Sequence, residues 1–167
     1  MTLQEFNALG EAEAVENLMR CCGSHRWANH VAAGRPFASS EALMKTADSV
    51  WNGMEPADIH EAFTHHPKIG DVASLRKKFA ATAAWASGEQ SGVNSAAEAT
   101  IQGLAQGNAE YEAKFGYIFI VCATGKTADE MLAILRSRLG NDPHHELANA
   151  AEEQRKITRI RLEKMLS

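Results

Sequence analysis

No run of about 18 or more uninterrupted apolar residues occurs anywhere in this sequence, so no segment is expected to span a membrane. Met1 to Leu9 lacks a basic region followed by an apolar one, so a secretory signal is not expected. The tail Lys164-Met165-Leu166-Ser167 is not the peroxisomal Ser-Lys-Leu type, and the expected location is the cytoplasm. Cysteine is sparse: Cys21, Cys22 and Cys122 form an odd count with an adjacent pair and no Cys-x-x-Cys, a poor disulfide framework. In a reducing compartment they suit small core positions. An excess of positive charge is missing too, with 17 Lys and Arg against 21 Asp and Glu and a net charge of -4. That argues against a nucleic-acid surface, which needs a basic stripe. The dense basic stretch Arg155 to Lys164 has acids nearby and reads as one face of a helix. Also absent are Gly-x-Ser-x-Gly, a Gly-x-Gly-x-x-Gly after a strand, and a cysteine with a recognisable histidine partner. An enzyme built on this chain therefore works by acid–base and electrostatic means in a preformed pocket.

What is present is an ordinary globular mix over 167 residues, 45 % apolar and 23 % charged, enough for one domain with a real core. Alanine is abundant, β-branched runs are few and helix signals recur. The expected fold is all-α: a single compact bundle-like domain over residues 1–167, with about seven to nine helices and no significant sheet. Leu3 to Cys22 reads as one helix, closed by Gly23. Pro36 marks a loop. Ser39 or Ser40 caps a helix through Leu43, Met44, Ala47, Val50 and Trp51, which Gly53 closes. Pro56 suits the first turn of a short helix that must stop near His65, because Pro67 disfavours helical geometry at His66. Leu75 to Ala86 looks helical, and Ser95 can cap a long helix ending near Gly116. Tyr117 to Ala123 suits a strand but has no second strand to pair with, so an extended segment in the core is expected. Thr127 with Glu130 opens a helix to Leu139, and Asp142 with Pro143 opens a last one to about Leu166.

Three features could carry chemistry. In His65-His66-Pro67-Lys68-Ile69-Gly70-Asp71, two imidazoles arrive at a helix end where proline and glycine fix the backbone. Histidine titrates near neutral pH and can move a proton there, although a helix-terminating loop with solvated histidines is the commoner reading from composition. A metal is not expected: His60, His65 and His66 contain no His-x-x-x-His pair, and no cysteine cluster or acidic trio completes a site. In Ala86-Ser87-Gly88-Glu89-Gln90-Ser91-Gly92, a carboxylate beside an amide sits between glycines that let backbone approach a ligand. A plain surface loop is the commoner meaning of such a run. Arg161 falls on the side of the last helix shared by Leu147, Ala150, Ala151, Ile157 and Met165. A core-facing arginine needs an anion or several acceptors, or a packed stem whose head reaches water.

Taken together, these features resemble the OHCU (2-oxo-4-hydroxy-4-carboxy-5-ureidoimidazoline) decarboxylase family over nearly the whole chain. Phe6-Asn7 begins the likeness, and Arg35-Pro36-Phe37 sits where the family has its own Arg-Pro-Phe. His66-Pro67-Lys68-Ile69-Gly70 matches the His-Pro motif, and Glu89-Gln90 the Glu-Gln pair that follows. Phe115-Gly116 with Phe119 to Ala123 matches the Phe-Gly and apolar loop, and Glu153 to Thr158 with Arg161-Leu162 the C-terminal helix. The motifs are weak singly and strong in this order. Where many members have a serine three residues before the glutamate, this chain has Ala86 and carries the hydroxyl on Ser87.

The resemblance implies a soluble, cofactor-free, metal-free lyase of urate degradation, commonly a homodimer, that turns OHCU into (S)-allantoin. His66 would be the catalytic acid–base, with Glu89 as its partner and a substrate anchor. Pro67, Ser87, Gln90, the backbone of Phe119, Ile120, Val121, Cys122 and Ala123, and Arg161 would hold the substrate. Two other readings stay open: a non-catalytic helical ligand-binding module, and a hydrolase of a related ureido compound.

Overall fold

The computed structural model describes residues 1–67, 71–79 and 91–167, without the side chains of 91–96. Among the described residues the chain is all helix, with nine helices and no strand. They are α1 (Leu3–Ala8), α2 (Glu11–Cys21), α3 (His25–Ala33), α4 (Ser40–Asn52), α5 (Pro56–Thr64), α6 (Val72–Phe79), α7 (Ser91–Phe115), α8 (Ala128–Leu139) and α9 (Pro143–Met165). None is long and apolar enough to cross a membrane. The chain divides into two units, the first Met1–His66 with Asn149–Ser167 and the second Pro67–Ala148.

The first unit holds α1 to α5 and the later turns of α9. The helix expected from Leu3 to Cys22 is two helices, broken at Leu9 and Gly10, both extended. Arg35 explains the break. Its Nη1 donates to the carbonyls of Phe6 at 3.0 Å and Leu9 at 2.7 Å, oxygens that a continuous helix would have engaged itself. Asn7 reinforces the join: its amide donates to the Phe37 carbonyl and accepts from the Phe37 N–H, both at 2.9 Å. Arg35-Pro36-Phe37 is therefore a clasp on the amino-terminal helices. Helix α3 occupies a stretch for which no element is expected from the sequence. Ser24 caps it, accepting from the Trp27 N–H, and Trp27, Ala28, Val31 and Ala32 fill its buried face. The core gathers Phe6, Leu18, Trp27, Leu43, Trp51 and Leu162. Both indoles are satisfied, Trp27 by the Ala47 carbonyl at 3.0 Å and Trp51 by that of Ala151 at 2.9 Å. Ser39 is the cap of α4, and α5 stops at Thr64 with His65 as its C-cap, as Pro67 requires.

The second unit packs α6, α7 and α8 around Leu75, Phe79, Ile101, Leu104, Tyr111, Met131, Leu132 and Leu135. Helix α6 starts at Val72, earlier than expected, because Asp71 caps it by accepting from the Ser74 N–H at 2.8 Å. The remainder of the helix expected to Ala86 lies outside the described residues. Helix α7 starts at Ser91, a turn before the expected cap Ser95, which is thus inside the helix. Its Gly107 lets α8 come close, since a Cβ there would lie 2.6 Å from a Leu135 methyl. Thr127 caps α8, accepting from the Glu130 N–H at 3.1 Å. Asp142 caps α9, accepting from the His145 N–H at 3.0 Å.

Candidate active site

In the first unit, the end of α5 delivers His65 and His66 as a pair. His65 packs closely against Gly23: a Cβ at that glycine would come within 2.3 Å of the imidazole Cγ. His66 is half-buried, and its Nε2 meets the side-chain oxygen of Gln154 on α9. Burial first, then the charges of Arg161 and His65, push the His66 pKa below its ordinary 6.5, against an opposing pull from Gln154. The imidazole is thus biased toward its neutral form, the form able to accept a proton.

The buried line of α9 is Ala150, Gln154, Thr158 and Leu162, one residue round the helix from the line expected from the apolar residues. Gln154 is fully buried and Thr158 nearly so, and the two satisfy each other, the Gln154 amide donating to the Thr158 hydroxyl at 3.1 Å. Arg161 consequently lies at the edge of the buried stripe. It is partly exposed, and its Nη1 donates to the Cys21 carbonyl at 3.4 Å. A guanidinium has five N–H donors, so most of the Arg161 fork remains for an anion. Cys21 and Cys22 lie beneath, their thiols pushed by burial up to about 11 and about 12. Such thiols stay protonated and are poor nucleophiles.

In the second unit, Tyr117 to Ala123 is neither helix nor strand, with Ile120 and Cys122 buried. Arg138 on α8 holds it, donating from Nη1 to the Ile120 carbonyl at 2.7 Å and lying 4.7 Å from the Phe119 ring centroid. Arg138 is itself paired with the fully buried Glu146, Nε to Oε1 at 2.7 Å, and Tyr111 donates to the other carboxylate oxygen at 3.1 Å. Lys126 donates to the Cys122 carbonyl at 2.7 Å. The carbonyls of Ile120 and Cys122 are therefore engaged by the protein's own cations.

Of the residues expected to form a site, the structure places His66 and Arg161 in the first unit, and Phe119, Ile120, Val121, Cys122 and Ala123 in the second. Pro67 is exposed. Ser87, Glu89 and Gln90 lie outside the described residues. No group of three or more His, Cys, Asp or Glu able to hold a metal occurs among the described residues. Sequence reasoning missed Gln154, Thr158 and Arg138. The signal for the first two is their spacing of four residues, in register with Ala150 and Leu162.

The profile of the OHCU decarboxylase family matches residues 7–163. The chain belongs to the OHCU decarboxylase family. This is a family of carboxy-lyases of urate degradation. The chain is 38 % identical over 149 residues to the uric acid degradation bifunctional protein TTL of Arabidopsis thaliana, covering 88 % of this chain and 45 % of that protein. It thus spans less than half of that relative. With the 2-oxo-4-hydroxy-4-carboxy-5-ureidoimidazoline decarboxylase of Amia calva it shares 31 % identity over 171 residues, covering 99 % of this chain and 95 % of the relative. Among solved structures, an OHCU decarboxylase crystallised in the presence of (S)-allantoin superimposes with a TM-score of 0.72 at 36 % identity, over 90 % of this chain and 97 % of the other.

Proposed function

We propose that this chain decarboxylates OHCU to (S)-allantoin without a cofactor, with His66 as general acid–base and Arg161 as the substrate's anion anchor. The observation that carries the reading is the placement of a half-buried, neutral-biased imidazole at the end of α5, close enough to Arg161 to feel its charge. The match from residue 7 to residue 163 spans both units and supports reading 1–167 as one functional domain.

The substrate supplies its own electron sink. The carbon that loses CO2 bears a hydroxyl and adjoins a C=N carbon. When the C–C bond breaks, CO2 leaves and the electron pair forms a C=C bond, while the imine nitrogen takes a proton. The resulting enol becomes allantoin when its O–H proton is given up and a proton is added to the ureido-bearing carbon. The face of that addition sets the configuration. His66 carries this proton, and Arg161 grips substrate oxygens by a forked contact. Glu89 and Gln90 orient the hydroxyl and ring N–H groups, and Ser87 and Pro67 add contacts to the substrate. From Phe119 to Ala123, backbone N–H groups rather than the engaged Ile120 and Cys122 carbonyls read the ureido group. A homodimer in the cytoplasm completes the reading, supported by the resemblance to the family.

Circular dichroism of freshly generated OHCU, followed with and without the protein, tests it. OHCU also loses CO2 spontaneously to racemic allantoin, so a fast and lasting signal of one sign is expected only with enzyme. A spontaneous rate with no lasting signal in the presence of folded protein would leave a ligand-binding module.

A further inference from the structure

We propose that Gln154 is a positioning residue that holds His66 in the Nε2–H tautomer, so that Nδ1 is the ring nitrogen that exchanges the proton with the substrate. The inference rests on His66 being the acid–base. It starts from Thr158, whose Oγ1 accepts from the Gln154 Nε2 at 3.1 Å. With its amino group on Thr158, the amide turns its oxygen the other way, onto His66 Nε2. An amide oxygen has no hydrogen to give, so Nε2 must donate. Gln154 is 0 % and Thr158 6 % exposed, so water does not compete for these bonds.

Neutral His66 then keeps its lone pair on Nδ1. The charged and titratable groups acting on the ring are Arg161 from α9 and His65 from the end of α5, and Glu61 of α5 acts in turn on His65. In the reaction, Nδ1 takes the proton from the enol O–H and returns it to the ureido-bearing carbon. Between those events the ring is a cation with both nitrogens protonated. The Gln154 oxygen, already at Nε2, accepts throughout and needs no rearrangement. One buried amide thereby selects the tautomer and steadies the transient charge.

The experiment is nitrogen-15 NMR of the full chain labelled at histidine, with His66 assigned by the loss of its signals in His66→Asn. Wild-type protein at high pH should show a protonated Nε2 and a lone-pair Nδ1 for His66. Gln154→Leu should mix the tautomers and lower kcat about 10-fold or more with KM little changed, as a wrong-tautomer histidine does. Gln154→Glu keeps an acceptor, so it should restore the Nε2–H form and move the acid limb of the kcat profile to higher pH. A wild-type His66 carrying its proton on Nδ1 would overturn the assignment without reference to any variant, as would a Gln154→Leu protein with unchanged tautomer and acid limb. Full activity in His66→Asn would instead overturn the catalytic reading, and with it proton transfer at Nδ1.

Discussion

Arg138 and Glu146 form a buried ion pair, Nε to Oε1 at 2.7 Å, with the carboxylate fully shielded and the guanidinium side chain 8 % exposed. The pair is tied to the Phe119–Ala123 run through the Ile120 carbonyl. Desolvation here is offset only because every partner is in place.

Arg138→Met leaves the Glu146 carboxylate buried without its cation. A loss of about 3–5 kcal/mol in urea unfolding is expected. Adding Glu146→Leu should recover much of that loss, because the charge left stranded is then gone. A double variant as unstable as the single would mean that Arg138 acts through Ile120 and Phe119 instead.

His66→Asn should fold normally and lose about 100- to 10,000-fold in decarboxylation rate. The residual allantoin should be racemic. Stopped-flow decay of OHCU read together with optical activity decides this, and a variant within a few-fold of wild type removes His66 from the chemistry.

The same residue should shape stability at mildly acid pH. Burial lowers the folded pKa of His66 below 6.5. As pH falls through about 6.5, the unfolded chain binds a proton that the folded chain refuses, so stability drops until pH passes the folded value. Denaturant midpoints taken from about pH 8 to about pH 5 should therefore fall more steeply for wild type than for His66→Gln. Parallel curves would show that the imidazole titrates alike in both states.

Arg161→Gln keeps a polar head but removes the charge and the fork. Hydrogen bonds to charged groups contribute about 1.5–3 kcal/mol, so KM should rise roughly 10- to 100-fold. Because Arg161 is partly exposed and makes one long bond to Cys21, the thermal midpoint should hardly move. A stability loss with unchanged KM would make it a packing residue.

Gly23→Ala places a methyl into the His65 ring, 2.3 Å from Cγ and 2.4 Å from Cβ. Overpacking of this kind costs about 1–3 kcal/mol. Because the ring must swing away at the root of the His65–His66 pair, turnover should fall along with the denaturant midpoint. Activity unchanged at full occupancy of the folded state would show that His66 is held by Gln154 alone.

The residues that announce themselves locally were legible. Pro67 ends α5 where a proline must, Gly53 closes α4, and Thr127 and Asp142 cap their helices. Helix α3 was not, because Trp27, Ala28, Val31 and Ala32 show their pattern only over a short span. The break at Leu9 depends on Arg35, which is distant in sequence and leaves no local mark. His66 and Arg161 stand out by chemistry. Gln154 and Thr158 do not, since two polar residues on an α9 dominated by charge look solvated until each is seen to satisfy the other. Apolar periodicity placed the stripe of α9 one residue off for the same reason: its buried line is half polar.

The Arg35 clasp has a consequence for the order of events during synthesis. A six-residue helix has too few internal bonds to persist alone. Both the guanidinium that takes the Phe6 and Leu9 oxygens and the Phe37 backbone that pairs with Asn7 arrive only later in the chain. Residues 3–8 therefore stay unformed until Arg35 and Phe37 have been made, and α1 folds after stretches that follow it in the chain.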